Sequence, residues 1–301
     1  MNYECNRYFL RRGGLSYGFM KEGFQIVRGF DIWDAALRVY NENFSHPAEK
    51  ADAYELSAAY LKSFDPQVII GGPPCQDYSS AGSRDEGRGR ADLTRQFADL
   101  ISQVRPRWFV MENVDRIQKS TTLPIAIDIY RRAGYGLTQV VLDASLCGAP
   151  QKRKRYFLIG ELDGPDDFLH DALMRGLRKE SMTIHEYLGD EFGTEYYYRH
   201  PRSYQRRGVF SIYEPSPTVR GVNRPIPPGY HPHPGDATQD MSKVRPLTIH
   251  ERARLQTFPA SFRLSGSKTD MEQMVGNAVP VELAAYVARA LREYIESKEV
   301  F

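Results

Sequence analysis

The first 160 residues of this 301-residue chain alternate between short apolar runs and amphipathic stretches, and that alternation leaves few folds open. Runs at Ile26–Phe30, Gln67–Gly71, Arg107–Met111, Thr138–Leu142 and Tyr156–Gly160 are each bounded by Gly, Pro or charge, the pattern of strands buried on both faces. Between them, Leu93, Phe97, Leu100, Ile101 and Val104 share one helical face, and Pro106 ends that helix. Asp34 is placed to cap a helix carrying Ala36, Val39 and Tyr40. Strands that alternate with helices predict an α/β chain with a doubly wound, mostly parallel sheet.

The pattern breaks after 160. Residues 161–195 are acidic and irregular, and between Arg199 and Arg224 lie six arginines (199, 202, 206, 207, 220 and 224) with one acid, Glu214. Nine of the 19 prolines fall between Pro201 and Pro246, so this stretch reads as a small, loop-rich second domain with a basic surface. Helical pattern returns at Thr248-Ile-His-Glu251, which has capping-box spacing. Pro280 suits the first turn of a last helix with Leu283, Val287, Leu291 and Tyr294 inside. The division expected is a catalytic domain of 1–160 and 246–301 around a second domain of 161–245.

Composition narrows the class. With 41% hydrophobic and 26% charged residues the chain is neither disordered nor fibrous. No run of about 18 apolar residues exists, so no membrane partner is expected. Met1-Asn-Tyr-Glu-Cys does not read as a signal peptide. Three cysteines (Cys5, Cys75, Cys147) are too few for a disulfide scaffold and suit a reducing, cytoplasmic setting. The net charge of +2 says nothing of partners; the clustering of arginine does.

The chemistry-bearing residues sit at strand ends, where open α/β sheets bind ligands. Gly71-Gly-Pro-Pro-Cys75-Gln76 directly follows a strand. A free cysteine is ordinarily a small buried hydrophobe, but prolines that stiffen the backbone before Cys75 make it a candidate nucleophile. Glu112-Asn-Val ends another strand and offers either a cap or an acid. Gln151-Lys-Arg153-Lys-Arg155 precedes a further strand, and alternation points Arg153 and Arg155 to one side. No metal site is expected.

With these motifs in this order the chain resembles the DNA cytosine-5 methyltransferases, over nearly all its length except about 161–240. Pro73-Pro-Cys-Gln76, Glu112-Asn-Val114, Gln151-x-Arg-x-Arg155 and Gly276-Asn-Ala-Val-Pro280 match the family's blocks in sequence, and Arg245-Pro-Leu-Thr with Glu251, Arg254-Leu-Gln and Phe258-Pro259 resembles the block after the recognition domain. The resemblance implies a Rossmann-like methyltransferase fold and double-stranded DNA as partner. It also implies a mechanism in which a flipped cytosine is attacked at C6 by Cys75, with Glu112 at N3, Arg155 at O2 and Arg153 supporting loop and base. Ser79–Arg90 matches the catalytic loop, with Ser79, Arg84, Arg88 and Arg90 meeting DNA; Arg202, Arg206, Arg207, Arg220 and Arg224 are the contacts expected from the recognition domain. A monomer is expected, with a cognate restriction endonuclease as a second partner.

The cofactor implied is S-adenosylmethionine, held by Asp31 at the ribose, Ile32 on adenine, Asp52 at its amino group, and Phe9, Gly13, Gly14, Pro74, Leu93, Asn277 and Val279. The first loop, Phe9-Leu-Arg11-Arg12-Gly13-Gly14, departs from the family's Phe-x-Gly-x-Gly-Gly. A guanidinium there suits an extra carboxylate, so one alternative is carboxy-S-adenosylmethionine, giving 5-carboxymethylcytosine. A second is a weak, DNA-binding regulator of the same fold, against which Cys75, Glu112 and Arg155 speak. A tRNA-directed relative is disfavoured because 161–245 has no Cys-Phe-Thr block.

Overall fold

A computed structural model describes residues 3–8, 13–74, 93–203 and 205–299. In chain order these form β1 (Tyr3–Tyr8), α1 (Gly14–Lys21), β2 (Phe24–Asp31), α2 (Asp34–Asn43), β3 (Ala48–Lys50), α3 (Ala58–Lys62), β4 (Val68–Gly71), α4 (Leu93–Val104), β5 (Trp108–Val114), α5 (Thr122–Arg132) and β6 (Tyr135–Asp143). There follow β7 (Gln151–Lys152), β8 (Lys154–Leu162), α6 (His170–Arg175), α7 (Ile184–Leu188), β9 (Tyr196–Tyr198), β10 (Val209–Ser211), β11 (Ser216–Pro217), β12 (Val244–Pro246), α8 (Ile249–Leu255), α9 (Lys268–Asn277) and α10 (Val281–Glu299).

Seven strands make one sheet in the order β3-β2-β1-β4-β5-β8-β6. The chain winds outward from β1 in both directions, as a doubly wound fold requires. All neighbours pair in parallel except β8, which is antiparallel to both β5 and β6. The run Tyr156–Gly160, read as one more parallel strand, is therefore the reversed one. Only ten residues separate Asp143 from Lys154, too few for the dozen or more that a parallel crossover needs. β1 escaped the sequence reading because Tyr-Glu-Cys-Asn-Arg-Tyr is no apolar run.

The sheet is covered on both faces, and its strands alternate between the two cores. Val68, Ile70, Trp108 and Val110 face a layer built by Leu15 and Phe19 of α1 and Leu283, Val287 and Leu291 of α10. Ile69, Phe109 and Met111 face Phe97 and Ile101 of α4 and Leu123 and Tyr130 of α5. Helix ends obey local chemistry. Thr248 and Glu251 form a reciprocal capping box on α8, while Asp34 proves to be the first residue of α2, whose cap position is Trp33.

The second region centres on a small sheet, β10-β9-β12. Its apolar residues Ile184, Phe192, Tyr197, Phe210 and Val219 share one core with Leu255, Phe258, Met274 and Val275 of the C-terminal helices and turns. Leu169 and Leu173, by contrast, are buried in the core of the large sheet. Beyond β8, apolar residues up to Leu173 thus pack with the large sheet, and Ile184 with the second core.

α1 and α10 meet through glycine. A Cβ on Gly18 would lie 2.4 Å from Ala284 Cβ and 2.7 Å from the Val281 carbonyl oxygen. Gly18→Ala is expected to cost about 1–3 kcal/mol by forcing the two helices apart. Denaturant unfolding of the two proteins measures the difference.

Candidate functional site

The carboxyl ends of β4 and β5 and the residues leading into β8 converge on one point. Glu112 is 1% exposed, and the antiparallel register sets Val114 opposite Arg155. From there Arg155 Nε lies 2.9 Å from Glu112 Oε1. A carboxylate this deep needs a cation or a proton to remain, and Arg155 supplies the cation. The next residue, Asn113, donates from Nδ2 to the Pro73 carbonyl at 2.9 Å and accepts the Val114 N–H at 2.8 Å. The strand that presents the acid thereby also holds the segment Pro73–Pro74, which leads to Cys75. Cys75 itself lies outside the described residues, as do Phe9, Arg11, Arg12, Ser79, Arg84, Arg88 and Arg90. A Cβ on Gly71 would lie 2.6 Å from the Phe97 ring, so α4 closes directly over the end of β4.

Arg153 shares the inward face of its strand with Arg155 and lines the same cleft. Its guanidinium, 2% exposed, donates to the carbonyls of Val219 at 2.9 Å and Gly276 at 3.0 Å. It fastens the second region to α9. Gln151, quoted in the motif but given no role, is fully buried and bonds Val219, Leu255 and Gln256. Gln151, Asn113 and Gln256 are the site residues that sequence reasoning missed. The alternation that pairs Arg153 with Arg155 was the available signal for Gln151.

At the other side of the switch between β1 and β4, Gly13 takes a left-handed φ of 84° before α1. A Cβ on Gly14 would lie 2.0 Å from the Val279 carbonyl oxygen, so only glycine lets the two loops touch. Asp31 is half-buried at the end of β2 and its Oδ1 accepts the Trp33 N–H at 2.9 Å. Beside it Ile32 is 58% exposed. Asp52, half-buried after β3, accepts the Tyr54 N–H at 3.0 Å. An open apolar side chain next to a carboxylate at a strand end is an arrangement that could hold a ring and hydroxyl groups. Leu93 begins α4, half-buried, and Pro74 is likewise half-buried. Val279 is buried in the large core and offers its carbonyl to Gly14, while Asn277 lines the cleft described next.

Between the strand ends and the second region runs a cleft of about 1100 Å³. Ten of its lining residues are Lys or Arg and two are Asp, a balance that selects an anionic partner. The five arginines expected there divide. Arg202 and Arg206 are exposed and line the cleft. Arg224 is exposed but lies outside the lining. Arg220 is half-buried, lines the cleft and donates to the His200 carbonyl. Arg207 also lines it, yet its guanidinium is gripped by both carboxylate oxygens of Glu214 and stacks 4.4 Å above Phe210. Behind them Arg199 donates to the Thr218 carbonyl at 2.8 Å; burial, then the neighbouring Arg220, pulls its pKa down to about 10.

Among the described residues no helix is long and apolar enough to cross a membrane, and no group of three or more His, Cys, Asp or Glu is placed to hold a metal ion.

Comparison with known proteins agrees with this geometry. The family profile described as C-5 cytosine-specific DNA methylase matches residues 9–293. The Type II methyltransferase M.HindV of Haemophilus influenzae is 52% identical over 291 residues, 96% of each chain. The Type II methyltransferase M.HgiDI of Herpetosiphon aurantiacus is 51% identical, over 94% of this chain and 92% of its own. Among solved structures, the Dnmt2 methyltransferase of S. pombe superimposes with a TM-score of 0.73 at 19% identity, covering 98% of this chain and 99% of that one. A buried carboxylate–guanidinium pair beside the Pro73–Pro74 segment and a basic cleft meet in one molecule whose sequence matches the family profile over residues 9–293: this chain belongs to the family of C-5 cytosine-specific DNA methylases.

Proposed function

We propose that this cytosine-5 DNA methyltransferase works through a covalent adduct of Cys75, with Glu112 and Arg155 as the pair that holds the target base. The observation that carries the reading is the 2.9 Å contact of Arg155 with the buried Glu112, next to the Asn113 bond to Pro73. A base turned out of the duplex into this corner of the cleft meets a hydrogen-bond partner for N3 in Glu112 and for O2 in Arg155. The Cys75 thiolate adds to C6. Glu112 takes up a proton as the base enters and donates it to N3, which eases the electron density entering the ring, an effect worth roughly 10²–10⁴-fold for a positioned acid. S-adenosylmethionine, when bound, supplies the methyl group that C5 accepts. Loss of the C5 proton then lets the ring expel Cys75, which restores the thiolate.

Asp31, Ile32 and Asp52 hold the nucleoside part of the donor in this reading, with Gly13 and Gly14 giving backbone access at its other end. The relatives' printed name, methyltransferase, supports methyl as the group transferred. The carboxymethyl alternative rests on Arg11 and Arg12 alone, which lie outside the described residues. The Type II relatives support a place in a restriction–modification pair, with a cognate endonuclease as partner. For the regulator alternative the buried Glu112–Arg155 pair is an idle expense, since binding DNA requires neither.

The target-recognition role falls to the region between about 178 and 245, working as a monomer with the large sheet. Arg202, Arg206, Arg220 and Arg224 meet phosphate or base, and Arg207, saturated by Glu214, shapes the loop instead.

Sequencing of modified cytosines in DNA from cells expressing the protein tests the reaction, and mass spectrometry of the nucleosides gives the group added. Cys75→Ala is expected to abolish transfer and trapping by a 5-fluorocytosine duplex. DNA affinity should stay within about threefold, because phosphate contacts dominate it. Product formed by this variant at more than a trace removes Cys75 from the chemistry. Arg202→Ala and Arg206→Ala are each expected to lower the salt slope of DNA binding by about one unit. Arg207→Ala should leave the slope unchanged and lower the melting temperature. Titrations at several salt concentrations, with a melting curve for each variant, decide between these roles.

A further inference from the structure

The strand leading to Arg155 carries a second set of contacts that the chemistry above does not use. Gln151, Arg153 and Arg155 are buried while Lys152 and Lys154 are exposed, so three consecutive inward positions share one face. The last of them holds Glu112. The first two hold one residue of the recognition region from both sides: Gln151 Oε1 accepts the Val219 N–H at 2.9 Å, and Arg153 Nη1 donates to the Val219 carbonyl at 2.9 Å.

This grip begins where backbone pairing stops. β7 and β11 pair in parallel through Gln151↔Ser216 and Lys152↔Pro217, then end. Beyond Pro217 only side chains reach across: Thr218 Oγ1 to the Lys152 carbonyl at 2.7 Å, then the two bonds to Val219. The same Gln151 is anchored behind by Gln256. Its Nε2 donates to Gln256 Oε1 at 2.9 Å and to the Leu255 carbonyl at 3.1 Å. Gln256 in turn donates to the carbonyls of Val275 at 2.6 Å and Ala278 at 3.2 Å. Both glutamines are fully buried. Buried amides left unpaired are costly, so such a pair accepts few alternative arrangements. A Cβ on Gly276 would lie 2.1 Å from the Gly221 nitrogen, which closes the remaining side.

We propose that Gln151 is a positioning residue for target discrimination. Anchored on Gln256, it sets the register of residues 219–224, which carry Arg220 and Arg224 toward DNA, against the Glu112–Arg155 pair, whose Arg155 lies four residues further along the chain. A recognition loop that shifts on a wrong sequence then pulls on the strand that holds the base, and so lowers transfer as well as binding. This inference rests on the cytosine-methylating reading of the site.

The test compares single-turnover methylation of the mapped target with that of a duplex changed at one base pair, for wild type and Gln151→Met. The variant keeps the shape of the side chain and removes its hydrogen bonds. The rate at the true target is expected to fall about tenfold, and the ratio between true and altered duplex to narrow by about tenfold. Affinity for unrelated DNA and for S-adenosylmethionine should stay within about twofold. A merely structural glutamine would not change the ratio; a variant with wild-type rate and ratio overturns the proposal. Should Gln151→Met fail to melt cooperatively, Thr218→Val, which loses only the bond to Lys152, decides. A ratio narrowed by about threefold supports the register role and an unchanged ratio overturns it. Wild type that modifies no cytosine overturns the underlying reading and this inference with it, whereas an active wild type with equally discriminating variants overturns this inference alone.

Discussion

Reversal of β8 within an otherwise parallel sheet is the constraint from which the site follows. In a parallel sheet every strand delivers its carboxyl end to the ligand side. A strand running the other way delivers its amino end, so the residues just before β8 arrive where β4 and β5 finish. That is why a basic motif and an acidic one, forty residues apart in sequence, share a 2.9 Å contact. It is also why Gln151 and Arg153, still earlier, face the recognition region rather than the sheet. One reversed strand thus holds the buried Glu112 at one point and Val219 of the second region at another.

The recognition region is not a bead on a string. Its core runs without a break into the helices that follow it, through Leu255, Phe258 and Met274. Its Pro-rich loop is knotted locally by Asp236, which accepts the Gly208 and Val209 N–H groups and the Tyr230 hydroxyl. Arg207 on Glu214, Arg199 on the Thr218 carbonyl and Arg220 on the His200 carbonyl are held by fixed acceptors and stiffen the region. Such a frame leaves Arg202, Arg206 and Arg224 exposed.

Much of this was legible in the residues. The apolar strands at Ile26–Phe30, Gln67–Gly71 and Arg107–Met111 lie within or overlap β2, β4 and β5, because burial on both faces leaves an unambiguous run. The capping box at Thr248 is a local signal and appears as read. Strand direction was not legible, since it depends on a connection length that only precise strand ends reveal. β1 was hidden by polar residues in a central strand. The split among the arginines was equally hidden: nothing in the spacing of Arg206 and Arg207 says that only the second finds Glu214. That Glu112 and Arg155 sit together was suggested by motif order, whereas the bonds of Arg153 to the Val219 and Gly276 carbonyls had no signal in the alternation.

The close fit of α1 on α10 also governs how the protein is made. α1 ends at Lys21 and α10 begins at Val281, so the side of α1 that packs on α10 through Gly18 has no cover from that helix until some 260 residues later. At synthesis rates of about 5–20 residues per second, that face waits roughly 10 to 50 s on the ribosome. The contact between α1 and α10 therefore closes only when α10 docks. An emerging chain of this kind depends on holdase protection early, and a ribosome-stalled nascent chain ending before Val281 should leave the region around Phe19 open to protease.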